Sequence, residues 1–205
     1  MSKILATFIV IALFDPATLF LNREEPQVES YKGHRTMEGR ALWFSGTLEV
    51  STAFSKEAGF TYEIRKETGE EKTLEKLKVL LEMEKKGSNS RSSTFTAENY
   101  AFKLQKREQG GVVSLLLSPR KDSVEYEQVT LSVRALDGEL LQMEGKPAKN
   151  HAGLKGEKIV RYYERRGGFR VPVKTILSGR WGKPIGLVQV TSTYEDTYEE
   201  VNGLK

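Results

Sequence analysis

The residues with the most chemical potential lie in the last third of the chain. The run from Arg161 to Val173 interleaves Arg161, Arg165, Arg166 and Arg170 with Tyr162 and Tyr163. Guanidinium and phenol groups mixed in this way stack and pair with single-stranded nucleic acid. Just upstream, residues 145–158 carry Lys146, Lys149, His151, Lys155 and Lys158 among Gly145, Gly153 and Gly156. Flexible glycines between ammonium groups let backbone amides approach a phosphate or lipid headgroup. His151 and the many serines also allow a Ser–His–Asp set on paper. Each pattern has a plainer account. Glu157 and Glu164 interrupt the basic cluster, and cross-strand pairing around a hairpin explains its composition. The phosphate-loop spacing GxxxxGK[ST] is absent, which leaves a solvated basic loop. No GxSxG elbow is present. Glu63, Glu164 and Glu195 alternate with apolar residues, so they are expected in solvent rather than as an acid–base pair of unequal burial. The expectation is a non-enzymatic protein that does not bind nucleic acid.

The composition narrows the chemistry further. The 205 residues hold no cysteine and only two histidines, His34 and His151. Disulfides, thiol nucleophiles, Cys-ligated zinc, iron–sulfur clusters and attachment of lipid to a lipobox thiol are excluded. A His-rich metal site from one chain is excluded too, so neither metal nor cofactor is expected. The net charge of +4 comes from 32 basic and 28 acidic residues, a mixture without the basic stripe of a nucleic-acid binder. The length and the 38% hydrophobic content fit one folded domain.

The chain begins Met1-Ser2-Lys3, followed by the apolar run Ile4–Phe14 and then Asp15-Pro16. One early cation before about eleven apolar residues matches a secretory leader, and the run is too short for an ordinary membrane span. Residues 1–21 are therefore read as a signal peptide, with an uncleaved apolar anchor or a buried amphipathic start as alternatives. The single domain is assigned to residues 22–205. Export would place it in the periplasm, with at most peripheral membrane contact.

The elements that must position any site are mostly strands. Residues 22–40 are polar and aperiodic and read as a lead-in that includes at most a short helix. From Ala41 the period becomes two: Leu42, Phe44, Gly46, Leu48 and Val50 fall on one face. Phe60, Tyr62 and Ile64 repeat the alternation after a turn at Lys56–Gly59. Thr68-Gly69-Glu70-Glu71 fits a capping box that opens a helix of about four turns, Glu70–Lys86, with Leu74, Leu77, Leu80 and Leu81 on one side. Gly87–Ser93 reads as a hinge after it. Strands resume at Tyr100–Leu104, Val113–Leu117, Val129–Val133, Glu139–Glu144, Lys158–Glu164, Phe169–Ile176 and Ile185–Tyr194. Asp137-Gly138 and Gly167-Gly168 are turn signals. Pro172, which cannot donate to a ladder, marks a place where pairing weakens, as near the seam of an open sheet. The fold class is mainly β: a curved antiparallel sheet with one or more covering helices. Leu48, Phe60, Tyr62, Phe102, Leu115 and Leu131 share one side of it. They either line an apolar cavity, with Leu74, Leu77 and Leu81 as the inner face of a lid helix, or form a core beneath that helix.

Five segments recur in an order that resembles a known bacterial family: Gly59–Ile64, Glu98–Phe102, Leu117–Asp122, Met143–Asn150 and Arg161–Val173. From about Leu42 to Tyr198 the chain resembles the LolA-like outer-membrane lipoprotein-sorting proteins. Where members of that family often carry an aromatic-rich strand, Val129–Ala135 reads Val-Thr-Leu-Ser-Val-Arg-Ala. The resemblance implies an incomplete, half-open β-barrel whose hollow side is closed by helices. It also implies an exported, non-enzymatic protein that carries or senses a lipid, a lipidated protein or another apolar ligand. The alternative is a structural or protein-interaction module of the cell envelope with the same fold and a filled cavity.

Overall fold

The computed structural model describes residues 15–87, 95–122, 124–148, 155–181 and 188–204. The apolar run Ile4–Phe14, most of the proposed hinge after the helix, and Lys149, His151 and Gly153 lie outside the described residues. In chain order the elements are α1 (Pro16–Asn22), β1 (Gln27–Ala41), β2 (Phe44–Ser55), β3 (Gly59–Gly69) and α2 (Glu71–Gly87). The strands β4 (Tyr100–Arg107), β5 (Val112–Pro119), β6 (Tyr126–Arg134), β7 (Leu140–Pro147), β8 (Lys155–Arg166), β9 (Phe169–Trp181) and β10 (Val188–Leu204) follow.

The ten strands form one sheet in the order β3-β2-β1-β10-β9-β8-β7-β6-β5-β4, and every paired neighbour is antiparallel. Its two edge strands, β3 and β4, are not paired with each other, so the sheet is unclosed. Each β-hairpin connects neighbours, and α2 spans the gap in the chain between the two edges. The fold class expected from the strand train is the one observed.

Several local expectations are corrected. The segment at 22–40 is not a lead-in but contains most of a fifteen-residue interior strand, β1, the third from one edge of the sheet. Its buried positions are Tyr31, Gly33, Arg35, Met37 and Gly39, a set too polar and too small to show as apolar alternation. Leu42 and Trp43 form the β1–β2 turn, so Leu42 and Phe44 stand exposed at a hairpin tip instead of continuing the buried face. The capping box at Thr68 is not formed, because Thr68 and Gly69 still pair with Thr47 and Gly46 in the ladder. Glu70 opens the helix instead, its carbonyl accepting from the Thr73 and Leu74 amides. Pro172 lies in an interior strand and not near the seam, which falls between β3 and β4. Around it the β8–β9 register slips between Tyr162 and Tyr163, so proline produces a bulge.

At the amino-terminal side Asp15 and Pro16 begin a helix. The Asp15 carboxylate accepts from the Ala17 and Thr18 amides at 3.4 and 3.2 Å, and proline occupies the first turn, where no amide donor is needed. Ala17 is buried in the core and the Phe20 ring packs on Phe102 at 5.9 Å. Helix α1 therefore belongs to the folded body although it lies mostly inside residues 1–21.

The bulge in β1 at Lys32/Gly33 depends on a missing side chain. A Cβ on Gly33 would sit 2.1 Å from the Thr197 carbonyl oxygen of β10. Replacing Gly33 by alanine is expected to force the interior β1–β10 pair apart and to cost about 2–3 kcal/mol. Urea denaturation measures this; an unchanged midpoint would contradict the close approach.

Candidate functional site

The inner face of the sheet is built around the seat of α2. Gly39 and Gly46 lie opposite each other in the β1–β2 ladder. A Cβ on Gly39 would lie 2.8 Å from the Thr73 methyl carbon, and one on Gly46 would lie 3.2 Å from Leu74 Cδ2. Two facing glycines thus let the first turns of the helix approach the sheet. Further along, Leu77 and Leu81 are buried to 1% and 0% exposure against Met37, Leu48, Val50, Phe60 and Tyr194. Burying each leucine contributes about 1.5–3 kcal/mol.

Polar contacts fix the margins of the buried helix face. The Tyr62 hydroxyl donates to Glu82 Oε1 at 2.5 Å. Burial and that bond raise the phenol to about 12. Lys78 pairs with Glu67 of β3 at 2.7 Å. The strongest contact is deeper. Arg35 of β1, 6% exposed, donates from Nη1 to Glu84 Oε2 of α2 at 2.5 Å and from Nε to Asp196 Oδ1 of β10 at 2.6 Å. Burial alone would lower the guanidinium pKa, but the two carboxylates hold it well above its ordinary value. The same group lies 5.3 Å from the Phe60 ring centre and 5.7 Å from that of Tyr194.

One register row shows how the inner face is divided. Met37, Tyr194, Thr175, Arg161 and Met143 follow one another across β1, β10, β9, β8 and β7. Met37 belongs to the apolar cluster under α2, and Met143 to a second cluster made by β4–β10 and α1. Between them, over the small Thr175, stand a tyrosine and an arginine. Burial pushes the Tyr194 phenol up against the countering pull of Arg35, while the Glu84 and Glu157 carboxylates push it the same way. Its hydroxyl is buried with no hydrogen-bond partner among the described residues. Glu157, 1% exposed, adds a buried carboxyl group on β8. The inner face is therefore two apolar fields separated by a charged seam, with Leu80 touching both fields.

The candidate ligand residues divide accordingly. Leu48, Phe60 and Tyr62 gather with Leu74, Leu77 and Leu81. Leu115 and Leu131 are fully buried in the other cluster, with Phe102 packed against it. The six do not share one uninterrupted apolar wall. Arg35, Glu84, Asp196 and Tyr194 were missed as site residues. The available signal was the odd-numbered series Tyr31, Gly33, Arg35, Met37 and Gly39, which has period two once glycine and arginine are admitted to the inner face.

The other charged motifs take structural roles. Gly167 and Gly168, both at positive φ, turn β8 into β9. Strand alternation sends Tyr162 outward and Tyr163 inward, so the tyrosines present no common stacking face. Arg165 donates to Glu139 at 2.6 Å and to the Gly168 carbonyl at 2.5 Å. Glu139 also pairs with Arg134 at 2.5 Å, and Glu25 with Arg23 at 2.5 Å and with Arg170 at 3.7 Å. Arg23 reaches the Asp137 carbonyl at 2.9 Å. This network ties the α1–β1 link to two hairpins. In the basic segment, Lys146 pairs with Glu127, and Lys158 with Glu144 at 2.7 Å.

A triad-like row does occur, around a different histidine from the one sequence suggested. His34 Nε2 lies 2.8 Å from Glu199 Oε1, and Ser51 Oγ lies 3.5 Å from His34 Nδ1. All three stand in mid-strand on the outer face, and the His34 and Glu199 side chains are each 58% exposed. Ser51 and His34 face each other in the ladder, so their backbone amides are committed to strand pairing and supply no oxyanion hole. Among the described residues no group of three His, Asp or Glu side chains is placed to hold a metal ion, and no helix is long and apolar enough to cross a membrane. The β1–β2 tip exposes Leu42, Trp43 and Phe44 by 73%, 86% and 49%, with Leu42 at φ 45°.

No family model and no curated protein matches the sequence. Among solved structures the chain is similar to a LolA superfamily protein from Nitrosomonas europaea, at 11% identity and a TM-score of 0.42, over 93% of this chain and 92% of that one. It is similar in the same degree, 11% and 0.42, to a putative outer membrane lipoprotein-sorting protein domain from Vibrio parahaemolyticus, over 85% of each chain. A complex of MucA and MucB from Pseudomonas aeruginosa also matches, at 8% identity and a TM-score of 0.21, over 88% of this chain and 91% of that one.

Replacing Arg35 by leucine removes the ion-pair partner that two carboxylates share, one of them on Asp196 with only 5% side-chain exposure. The expected loss is about 3–5 kcal/mol. Replacing Arg65, 56% exposed beside Glu63, is expected to cost less than about 1 kcal/mol. Chemical denaturation of the two variants checks the ranking; equal losses would contradict Arg35 as the hub.

Proposed function

We propose that this chain is a non-enzymatic, exported binding protein of the cell envelope, whose ligand is an apolar chain that takes the place of α2 on the inner face. The observation that carries this reading is the construction of the α2 seat. One helix covers a continuous apolar field of Met37, Leu48, Val50 and Phe60, and it is held at its margins by separate polar contacts to Tyr62, Glu67 and Arg35. Such contacts break and reform without unravelling the sheet, whereas the leucine stripe is chemically interchangeable with an acyl chain. Lifting the helix exposes the field, and an apolar ligand recovers the burial that is lost, at about 25 cal/mol per Å². Lipid or the lipid group of a lipidated protein fits this exchange, and periplasmic residence suits it. Because Ala17 and Phe20 pack into the folded body, the leader ends ahead of Asp15 and the exported domain keeps α1.

The filled inner face also favours a second reading, an envelope interaction module in which α2 never leaves. One experiment separates the two. The chain lacks cysteine, and a Cβ on Gly46 would lie 3.3 Å from the Thr73 Cβ, close to the ~3.8 Å mean separation across a disulfide. In the Gly46→Cys, Thr73→Cys double variant, oxidation pins the first turn of α2 to β2. Binding of the neutral fluorescent probe N-phenyl-1-naphthylamine is expected to be saturable in the reduced protein and to fall at least about tenfold on oxidation, a difference of about 1.4 kcal/mol. Equal binding in both states overturns the exchange; no saturable binding in either state leaves the interaction module.

A further inference from the structure

The next inference rests on α2 giving way to a ligand, and concerns what the end of that ligand must carry. Glu84 presents a carboxylate to the Nη edge of Arg35, at 2.5 Å from Nη1 and 3.4 Å from Nη2. The remaining edge is served from the sheet itself, since Asp196 is the direct ladder partner of Arg35 and binds Nε at 2.6 Å. When α2 leaves, Asp196 stays and Glu84 goes. The Nη edge then faces the space that the helix vacated, inside an apolar surround. A hydrocarbon end placed there would leave half of a buried guanidinium without an acceptor, which is strongly unfavourable. A second carboxylate-like group restores the forked pair.

Tyr194 gives an independent sign. Its side chain is 9% exposed and its hydroxyl has no hydrogen-bond partner among the described residues. An unused buried donor is costly, and a ligand that accepts from it recovers that cost. The guanidinium carbon of Arg35 lies 5.7 Å from the same ring, so one group can engage both. The polar place adjoins the apolar one directly, because the Phe60 ring centre is 5.3 Å from the same guanidinium carbon.

We propose that the ligand is a single-chain amphiphile with an anionic head, a carboxylate or a phosphate monoester, received by Arg35 and Tyr194 where Glu84 now sits, with its chain along Leu48, Val50 and Phe60. Glu84 is the internal stand-in for that head. A single chain matches the one row of Leu74, Leu77 and Leu81 that it replaces.

The test measures displacement of N-phenyl-1-naphthylamine from the full-length protein by palmitate, hexadecyl phosphate and hexadecanol, in the wild type and in Tyr194→Phe. The wild type is expected to bind at least one of the two anionic compounds about tenfold more tightly than hexadecanol, and the variant to lose most of that preference while binding hexadecanol unchanged. Tyr194→Phe keeps the ring and removes an unsatisfied group, so its folding is not at risk. The tighter of the two anions identifies the head, and preference for either supports the proposal. Equal affinity for all three compounds overturns the anionic head while leaving the exchange of α2 intact. A preference that survives in Tyr194→Phe removes Tyr194 from the site and overturns the assignment. If no compound displaces the probe, the apolar-ligand reading fails, and this inference with it.

Discussion

A guanidinium cannot stay inside a protein without counter-charge, and Arg35 meets that condition by joining three elements that are far apart in sequence. Asp196 supplies one carboxylate from β10 and Glu84 the other from α2. The first contact belongs to the sheet and lasts as long as the sheet does. The second lasts only while the helix is in place. The position of α2 is therefore coupled to the electrostatic state of a residue at the centre of the fold. Gly39 and Gly46 set how close the helix can come, the leucines give it a reason to stay, and Arg35 fixes which turn faces inward.

The inner face that results is amphiphilic. Apolar clusters lie on either side of a seam containing Arg35, Asp196, Tyr194, Arg161 and Glu157. A uniformly dry hollow would suit any hydrocarbon. A seam of this kind discriminates, because buried polar groups reject a ligand that leaves them unpaired more strongly than apolar walls reject a misfit methylene. The division also explains why residues that look equivalent by alternation, such as Leu48 and Leu131, fall into separate clusters.

The extent to which this was legible in the sequence follows from the same physics. Strands with one apolar face, such as Val129–Val133 and Phe60–Ile64, declare themselves by alternation, and α2 by its leucines. The antiparallel character follows from strand number and turn chemistry, whereas the unclosed sheet is what the family resemblance implies. What stayed hidden is β1. Its inward residues are two glycines, an arginine, a methionine and a tyrosine, so this interior strand reads as polar linker. A buried arginine is invisible to hydropathy because its partners, Glu84 and Asp196, lie 49 and 161 residues away. The same non-locality hid the site. The Thr68 capping box failed for a related reason: the ladder with β2 outcompeted a local cap for the same backbone. Arg161–Val173, which looked chemically richest, serves to turn one hairpin and to anchor the α1–β1 link.

In the proposed exchange, α2 gives way to an apolar ligand while the sheet stays intact. Amide hydrogen exchange, compared with and without saturating palmitate, tests this most directly. Protection of the amides from Leu74 to Glu84 is expected to fall sharply on ligand addition while β1, β2 and β10 keep theirs. Undiminished protection of α2 in the ligand-saturated protein would contradict it.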